Sequence, residues 1–378
     1  MSSAVITGYV RSPFTLANKG ALTKVRPDDL AAGVIKGLVE DTGVNPKDIE
    51  DLIVGCAFPE GEQGLNIARN IVFIADLPIS VAGATVNRFC GSSMQSIHIA
   101  AGAITMGAGD AYICAGVESM TRVPRAGFNP MLNPTLVDKG HAAYMAMGET
   151  AENLAEKYNI TRETQEEFAV ESHRRATNAQ RDGKFDEEII PVRANGTKVD
   201  TDGCIRPGTT MEVLAGLSPA FDETGTVTAG TSSPLTDGAA AVLLTSEDYA
   251  KKNDLKPIAR IKSISVAGCA PEIMGIGPVN AAEKALARAG IKLANVDVIE
   301  LNEAFASQSL AVIEDAGFDL SKTNIDGGAI ALGHPLGATG ARITGKAAQI
   351  LKRDGGQFAL ATQCIGGGQG IATVLEAV

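Results

Sequence analysis

The stretch VNRFCGSSM, residues 86–94, decides the fold because it marks the passage from an apolar strand into a helix. An apolar run leads up to Cys90, small residues follow it, and MQSIHIAAGAITMG then has the composition of a helix. We therefore predict that Cys90 lies at a strand-to-helix turn. Unpaired backbone N–H groups and the helix dipole would favour a thiolate there, so we expect a lowered pKa and a nucleophile. The alternative is an ordinary buried structural cysteine.

Strand and helix patterns alternate on both sides of this turn, which predicts an α/β fold. We predict strands over 4–10, 51–56, 84–89 and 111–115, and helices over 27–41 and 66–75. From 121 to 226 the pattern changes to proline, asparagine and charged residues, with a helix-rich piece over 149–183 in which Thr161 can cap a helix. This segment is interpreted as an inserted lid or loop domain, after which 227–244 returns to sheet-and-helix composition.

The last third of the chain resembles the first third. GVNPKDIEDLIVGCAF (43–58) matches AGIKLANVDVIELNEAF (289–305) in pattern, and GDAYICAGVES (109–119) matches GGQFALATQCIGGGQG (355–370). The same offset carries Cys90 close to His334 in GGAIALGHPLGATGAR (327–342), which we predict to be a strand entering a helix. Duplication therefore predicts two halves of one architecture, with Cys90 and His334 at equivalent strand ends in one cleft.

Composition limits the classes of partner. The net charge of −11 over 378 residues argues against nucleic-acid or membrane-surface binding, so a phosphate-bearing ligand needs a local basic patch. The six cysteines show no CxxC pair and no metal-ligand spacing with histidine, which predicts free thiols in a reducing compartment and no metal site. With no signal-like amino terminus, no apolar span of about 18–20 residues and no SKL-type carboxyl terminus, we expect a cytoplasmic protein.

Three further stretches carry candidate chemistry. Asn302 in LNEAF (301–305) follows an apolar strand and could orient a water or ligand, or simply cap a helix. His334 in GHPLGATG (333–340) is surrounded by small residues that leave its ring accessible, although a lone histidine is more often structural. Cys364 in CIGGGQG (364–370) precedes three glycines whose N–H groups could face an oxyanion. The remaining histidines, at 98, 141 and 173, are expected to be structural.

VNRFCGSSM, NEAF, GHPLGATGARI and CIGGGQGIATV resemble the four motifs of the thiolase family, in family order and near-family spacing. NIARN (66–70), MGETAENLA (147–155), GTVTAGTSSPLTDGAAA (225–241) and MGIGPV (274–279) fit as well, so the resemblance covers essentially the whole chain. It implies two duplicated halves, each a mixed five-stranded sheet, forming a five-layer α/β/α/β/α sandwich. The expected divisions are 1–120, completed by 227–252, an inserted loop domain over 121–226, and 253–378.

The resemblance also implies the reaction, which is the reversible cleavage of a 3-ketoacyl-CoA by CoA. Cys90 would be the nucleophile that carries the acyl group, His334 its proton acceptor, and Cys364 the second proton donor and acceptor. His334 and a water on Asn302 would form one oxyanion hole, and the N–H groups of Cys90 and Gly366 the other. The family needs no metal or redox cofactor, takes CoA as co-substrate, forms dimers or tetramers, and can work beside a β-oxidation partner enzyme.

The insertion would hold CoA. By resemblance, Arg206 would meet the nucleotide end, Ser233 the pantetheine, and the tunnel would be lined by Met147, Leu217, Ala220, Ala304 and Phe305. Four cations could add positive potential near the phosphates or could simply form a solvated helix face, namely Arg174, Arg175, Arg181 and Lys184.

Three departures separate this sequence from the acetoacetyl-CoA-forming members. Ala146 stands where they have a histidine, Val213 where they have a serine, and TSSP (231–234) where they have Asn-Ala-Ser-Gly. These departures favour the degradative 3-ketoacyl-CoA branch, with an acetyl-CoA C-acetyltransferase as the alternative. In that branch we expect the acyl tail to leave through a gap lined by Met145, Met147, Met274 and the glycines at 275 and 277.

Two alternatives from other classes use the same architecture. A ketosynthase-like condensing enzyme usually works with two histidines or with His/Asn and lacks the second cysteine, so Cys364 argues against it. A non-catalytic CoA- or lipid-binding module would be expected to lose Cys90 or His334, and both are present.

Overall fold

A computed structural model describes residues 3–140 and 142–378, which alternate between strands and helices. The strands are β1 (Ala4–Arg11), β2 (Thr15–Leu16), β3 (Asp51–Gly55), β4 (Ala82–Val86), β5 (Ala111–Ser119), β6 (Val192–Ala194), β7 (Thr197–Val199), β8 (Thr236–Ser246), β9 (Ala259–Gly268), β10 (Val298–Leu301), β11 (Phe358–Ile365) and β12 (Gln369–Glu376). The α-helices are α1 (Pro27–Thr42), α2 (Ile67–Ile74), α3 (Ser92–Thr105), α4 (Pro134–Asp138), α5 (Met147–Lys157), α6 (Arg162–Arg181), α7 (Met211–Ala215), α8 (Glu247–Lys252), α9 (Gly277–Ala289), α10 (Ala306–Ala316), α11 (Ala329–Leu332) and α12 (Leu336–Asp354). Within the described ranges, no helix has the length and apolarity needed to cross a bilayer.

Most elements begin and end close to where the residue pattern predicts. Helix α1 begins at Pro27, where the missing N–H costs nothing, and ends at Gly43 with a left-handed φ of 67°. Thr161 caps α6 as predicted, because its side chain accepts the N–H of Thr164. Strand β4 ends at Val86 rather than at residue 89, since the chain leaves the sheet there and begins the turn that carries Cys90.

The strand predicted just before His334 is wrong. Residues 329–332 form the single-turn helix α11. Four apolar residues are too few for periodicity to separate a strand from a buried helix, and the Glu303 carboxylate accepts the Ile330 N–H at 3.2 Å in the first turn of α11. Cys90 therefore follows a strand whereas His334 follows a helix, so the two residues are not at equivalent strand ends.

The duplication predicted from the sequence is visible in the main sheet. Its strand order is β10-β11-β12-β9-β1-β8-β5-β3-β4, with β2 added beside β8. Outward from β1 the order is β8, β5, β3 and β4, and outward from β9 it is β12, β11 and β10. The fifth position of the second half is an isolated bridge between Ile299 and Thr323. Two residue pairs, Val5 with Arg260 and Ile6 with Ala259, join β1 of one half to β9 of the other.

Three buried clusters define the five layers that the resemblance implies. The central cluster packs α3 and α12 between the half-sheets, where Ile97 and Ala341 join Val242 and Ala361. The second packs α1 and α2 on the outer face of the first half-sheet, and the third packs α9 on the outer face of the other. Strand β8 serves both faces because its side chains alternate, with Ala240, Val242 and Leu244 in the central cluster and Ala239, Ala241 and Leu243 in the outer one.

Helices α3 and α12 begin side by side over one point of the first half-sheet. Gly116 of β5 lies beneath both first turns, because a Cβ at this position would collide with the Gly337 carbonyl and lie 2.6 Å from Ser93 Cβ. The two helices are also bonded directly, since the Ala341 N–H donates to Ser93 Oγ at 2.8 Å. The residues that immediately precede the two helices, Cys90 and His334 among them, are thereby brought together.

Buried ion pairs fasten the segment 121–226 to the rest of the molecule. This segment carries α4 to α7 and the small β6–β7 sheet, and its division from the halves stays a prediction. Arg11 of β1 contacts both Glu188 and Asp202 at 2.7 Å, and Lys346 of α12 contacts Glu188 at 3.0 Å. Because these side chains are at most 3% exposed, solvent screens their attraction very little.

Replacing Lys346 by methionine should therefore destabilise the fold strongly. Glu188 and Asp326 would each lose a buried cationic partner, which typically costs about 3–5 kcal/mol. Lys198→Met is the control, because the Lys198 side chain is 62% exposed in its pair with Asp200 and such pairs are worth about 0–1 kcal/mol. The measurement is the free energy of unfolding in urea, and equal losses in the two variants would contradict the structural role of the buried network.

Candidate active site

Cys90 lies at the apex of the turn between β4 and α3, as predicted. Phe89 has a left-handed φ of 43°, which is costly for a large side chain and has to be held by its surroundings. The Phe89 N–H donates to Asn87 Oδ1 at 2.8 Å, and Ser92 Oγ donates to the Phe89 carbonyl at 2.6 Å. A further hydrogen bond comes from Gln363 of β11, whose amide donates to the Cys90 carbonyl. The turn is therefore braced from both halves of the molecule.

The predicted lowering of the Cys90 pKa is wrong. Cys90 is only 9% exposed, and burial raises the pKa of its thiol to about 11. The N–H groups of Gly366 and of Cys90 itself oppose this rise by donating to the sulfur, and the Glu118 carboxylate adds to it. Desolvation thus outweighs the helix terminus. At neutral pH the thiol is protonated and needs a base before it can attack.

His334 is a neutral imidazole with one nitrogen open to accept a proton. Its backbone N–H donates to Thr236 Oγ1 at 3.0 Å, and Nδ1 lies 2.6 Å from Thr339 Oγ1. Because Thr339 Oγ1 donates to the Pro335 carbonyl at 3.0 Å, we assign the His334 proton to Nδ1, which leaves Nε2 unprotonated and facing the Asn302 amide. Burial, with a smaller effect of the Arg342 charge, lowers the pKa of His334 to about 3.

Asn302 faces His334 rather than capping a helix. Its Nδ2 lies 3.3 Å from His334 Nε2, and its own N–H donates to the Thr362 carbonyl of β11 at 3.0 Å. Helix α10 begins only at Ala306. Asn302 Oδ1 is buried and has no partner within the described residues, so it points to a small polar ligand such as water.

Cys364 is the penultimate residue of β11 and lies close to Cys90. Burial and, secondarily, the neighbouring Cys90 raise the pKa of the Cys364 thiol well above its usual value. Gly367 and Gly368, with φ of 79° and 85°, then turn the chain into β12, a conformation that side chains seldom adopt. This turn leaves the Gly366 N–H facing the Cys90 sulfur. The structure thus brings all five sequence-predicted residues of the reaction centre into one region.

The predicted CoA-contacting residues divide into two groups. Met147, Ala304 and Phe305 pack in one cluster with Cys364, and the Ser233 N–H donates to the Ala304 carbonyl at 3.0 Å. The second group lies further out. In this group Leu217 packs beside Leu214, whereas Ala220 and Arg206 are exposed. Arg206 is nevertheless positioned, because its N–H donates to His173 Nδ1 at 3.2 Å.

Other predicted cations and histidines are engaged elsewhere. Each of the four cations on or after α6 has a carboxylate partner: Arg174 and Arg175 pair with Glu171, Arg181 with Asp182, and Lys184 with Asp326. Arg206 has no ion-pair partner in the described part of the chain, so it remains the candidate for a phosphate. His98 is buried and bonds Thr373 at 2.9 Å, whereas the expectation for His141 lies outside the described residues.

Sequence reasoning missed the residues that orient the reactive groups. Thr339 lies one helical turn into α12, and its spacing from His334 within GHPLGATG could have revealed it. Thr236, Gln363 and Phe221 are distant in sequence from their partners and carried no such signal. Phe221 contacts the Phe305 ring edge-on, with ring centroids 5.7 Å apart, and so extends the apolar wall of the site. Within residues 3–140 and 142–378, no group of three or more His, Cys, Asp and Glu side chains could hold a metal ion.

The raised pKa of Cys90 predicts how alkylation by iodoacetamide should depend on pH. Since only the thiolate reacts, the rate at Cys90 should rise about tenfold per pH unit from pH 7 to 9, without a plateau. The measurement is mass spectrometry of the Cys90 peptide after timed quenching, with the partly exposed Cys269 as an internal comparison. A rate that is flat between pH 6 and 8 would show that the thiolate already exists in the free protein.

Comparisons with known proteins identify the family. Residues 4–248 match the model of the thiolase N-terminal domain and 255–377 that of the thiolase C-terminal domain. A 3-ketoacyl-CoA thiolase of Bacillus subtilis (strain 168) is 47% identical over 389 residues, which spans all of both chains. The crystal structure of human mitochondrial 3-ketoacyl-CoA thiolase in complex with CoA has a TM-score of 0.92 at 38% identity and covers all of this chain and 98% of that one.

A second solved structure bears on the branch of the family. The acetyl-CoA acetyltransferase of Bacillus anthracis has a TM-score of 0.91 at 40% identity and covers all of this chain and 99% of that one. Because the two family models together span almost the whole sequence and the relatives align from end to end, this chain belongs to the thiolase family.

Proposed function

We propose that this protein is a 3-ketoacyl-CoA thiolase, an acyltransferase that cleaves a 3-ketoacyl-CoA with CoA to yield acetyl-CoA and a shortened acyl-CoA. The observation that carries the proposal is the Cys90 thiol, buried beside Cys364, with the Gly366 N–H on its sulfur. An acyl group on that sulfur would place its carbonyl oxygen near two backbone donors. The relative from Bacillus subtilis and the human structural neighbour, both named 3-ketoacyl-CoA thiolase, support the same substrate class.

In the first half-reaction, Cys90 attacks the 3-keto carbon while His334 Nε2 takes the thiol proton. The bond between the second and third carbons then breaks, leaving an acyl thioester on Cys90 and an acetyl-CoA enolate. The enolate oxygen would be stabilised by the protonated His334 together with a water on Asn302. Cys364 donates its proton to the carbanion and is left as a thiolate. The initial proton transfer from Cys90 would fail if His334 were already charged, and the lowered pKa of His334 keeps its imidazole neutral until then.

In the second half-reaction, the CoA thiol gives its proton to the Cys364 thiolate and attacks the acyl carbonyl. The N–H groups of Cys90 and Gly366 hold the oxyanion of the tetrahedral intermediate, and loss of such a donor typically costs about 2.7–4 kcal/mol of barrier. Cys90 leaves as a thiolate and recovers its proton from His334. Both thiols and the imidazole thus return to their starting states, and no other reactant is consumed.

CoA is proposed to bind along the insertion. Ser233, Met147 and Phe305 flank the path to Cys364, and Arg206 at its outer end offers an unpaired positive charge to a phosphate. A backbone bond to His173 fixes the position of Arg206. In a chain of net charge −11, one local cation of this kind is what an anionic ligand needs.

The glycines at 275 and 277 do not open the gap that the sequence predicted for the acyl tail. A Cβ on Gly275 would lie 2.5 Å from Gln308, and one on Gly277 would collide with the Gln369 carbonyl, so the glycines allow close packing rather than a gap. Met274 is buried as well. The open apolar side is instead at Phe89, which is 40% exposed and pairs with Phe58 at a ring distance of 6.1 Å.

Two further features of the proposal concern assembly and location. Strand β4 is the free edge of its half-sheet, and the exposed apolar side chains of Leu65 (93%) and Ile79 (80%) lie in the segments that flank α2. These features support a homodimer or a pair of dimers, and a β-oxidation partner enzyme is proposed from the family resemblance alone. Six free cysteines support a reducing, cytoplasmic location.

Chain-length preference tests the proposed substrate class. We expect kcat/KM for thiolysis to rise from four to at least eight carbons, because each methylene buried against Phe89 and Phe58 can contribute up to about 0.8 kcal/mol. The measurement uses 3-ketoacyl-CoA substrates of four to sixteen carbons. A steep fall from four to six carbons would instead favour an acetyl-CoA C-acetyltransferase, the second candidate, to which the Bacillus anthracis structure belongs by name.

Replacing Cys364 by alanine should separate acylation from turnover. The variant should still take an acyl group onto Cys90 from a simple acyl-CoA, since that exchange moves no proton at carbon, but thiolysis should fall by at least about a hundredfold, the lower end of the 10²–10⁴ that one acid–base group contributes. Intact-mass spectrometry detects the acyl-enzyme, and Cys90→Ser is the matched control that should take none. Normal turnover in Cys364→Ala would mean that another residue moves the proton.

A further inference from the structure

Glu118 is a buried carboxylate that accepts four N–H donors and, on Oε1, the Cys56 thiol at 3.8 Å. It lies on β5, is 1% exposed and has no cationic partner in the described part of the chain. Its Oε2 accepts the N–H groups of Ala57 and Gly337 at 2.8 and 2.9 Å. Its Oε1 accepts the Phe58 N–H at 3.2 Å and the Gln63 amide at 2.8 Å. An isolated buried charge is expensive, so such an arrangement needs a reason.

The bond to Gly337 connects Glu118 to the helix that follows His334. Gly337 is in the first turn of α12, and Pro335, the residue at the N-cap position, makes no side-chain cap. Glu118 therefore caps α12 from another part of the fold and places a negative charge at its positive end. The cap restrains the helix three residues after His334.

The bond to Ala57 connects the same carboxylate to the Cys90 turn. The Ala57 carbonyl accepts the Asn87 side-chain amide at 3.0 Å, and Asn87 Oδ1 accepts the Phe89 N–H at 2.8 Å. A continuous chain of hydrogen bonds thus runs from Glu118 through Ala57 and Asn87 to the residue before Cys90. One carboxylate is bonded to both sides of the reaction centre.

We propose that Glu118 is a positioning residue that holds the Cys90 turn and the His334 helix at one fixed separation. It touches no reacting atom and acts through Ala57 and Gly337. The inference rests on the proposed function in that Cys90 and His334 are taken as nucleophile and base. Since transfer of the thiol proton requires hydrogen-bond reach between two groups on different halves, a shared anchor at their common edge serves that need.

Glu118→Gln tests the proposal with little change in shape. The glutamine NH₂ must face either the N–H groups of Ala57 and Gly337 or the donors from Phe58 and Gln63, so one side of the anchor is lost. We expect kcat for thiolysis of a 3-ketoacyl-CoA to fall about a hundredfold, as for a misplacement of roughly 1 Å, with KM within twofold of the parent value. Glu188→Gln is the matched control, because Glu188 is an equally buried carboxylate that contacts α12 at Lys346, far from His334.

The outcomes separate positioning from general instability. A loss of kcat in Glu118→Gln that Glu188→Gln does not share, despite an equal or greater loss of thermal stability, supports the proposal. A folded Glu118→Gln enzyme with kcat within threefold of the parent overturns it, and so does an equal loss in Glu188→Gln. If Glu118→Gln does not fold, Gln63→Met decides, because it removes one donor from Oε1. It should lower kcat severalfold at unchanged KM, and an unchanged kcat overturns the proposal.

A substrate-independent measurement keeps this inference separable from the proposed function. Removing the Glu118 charge should shift the pH dependence of Cys90 alkylation by iodoacetamide to lower pH, whereas Glu188→Gln should leave it in place. If the parent protein cleaves no 3-ketoacyl-CoA yet the shift occurs, the proposed function fails and the link between Glu118 and Cys90 stands. If thiolysis is present and neither kcat nor the alkylation profile responds to Glu118→Gln, the positioning role fails alone.

Discussion

Close packing of α3 against α12 over Gly116 is the constraint on which the site depends. No side chain fits at Gly116, so the first turns of both helices settle onto the same point of the sheet. The residues that enter those helices, Cys90 and His334, come from opposite halves of the sequence, yet they meet because their helices share one layer. The small side chains of the central cluster, rich in alanine, allow this layer to lie between two sheets.

Burial determines the chemistry of the two reactive groups. Out of water, the Cys90 thiol and the His334 imidazole are both held in their neutral forms, and neither is charged before substrate arrives. In the proposed reaction, transfer of a proton between them would create an ion pair in a buried site, where preorganised N–H donors act most strongly. The Gly366 N–H and Asn302 are already in place for that moment. In this proposal Cys90 and His334 therefore become charged only during the reaction, when these donors can stabilise an oxyanion.

Many charged residues of this chain form ion pairs with one another, and the buried pairs join separate parts of the fold. Arg11, Lys346 and their carboxylate partners join the insertion to β1 and α12 in the interior. On the surface, the cations of α6 are neutralised by neighbouring carboxylates, which leaves Arg206 as the unpaired cation of the group considered for phosphate binding. Glu118 extends the same principle, since its buried carboxylate accepts the backbone N–H groups of Ala57 and Gly337.

Local sequence determined the elements, the duplication and the chemical identity of the site. The turn at Cys90, the cap at Thr161 and the strand and helix pattern of the first 120 residues follow from short-range preferences, and the motifs around His334, Asn302 and Cys364 are contiguous in sequence. Tertiary structure alone decided the rest. Whether residues 329–332 form a strand or a helix, which way the Cys90 pKa moves, and which carboxylate caps α12 depend on groups far away in the chain. Desolvation and long-range hydrogen bonds arise only when both halves have packed together. They therefore cannot be predicted from any short stretch of the sequence.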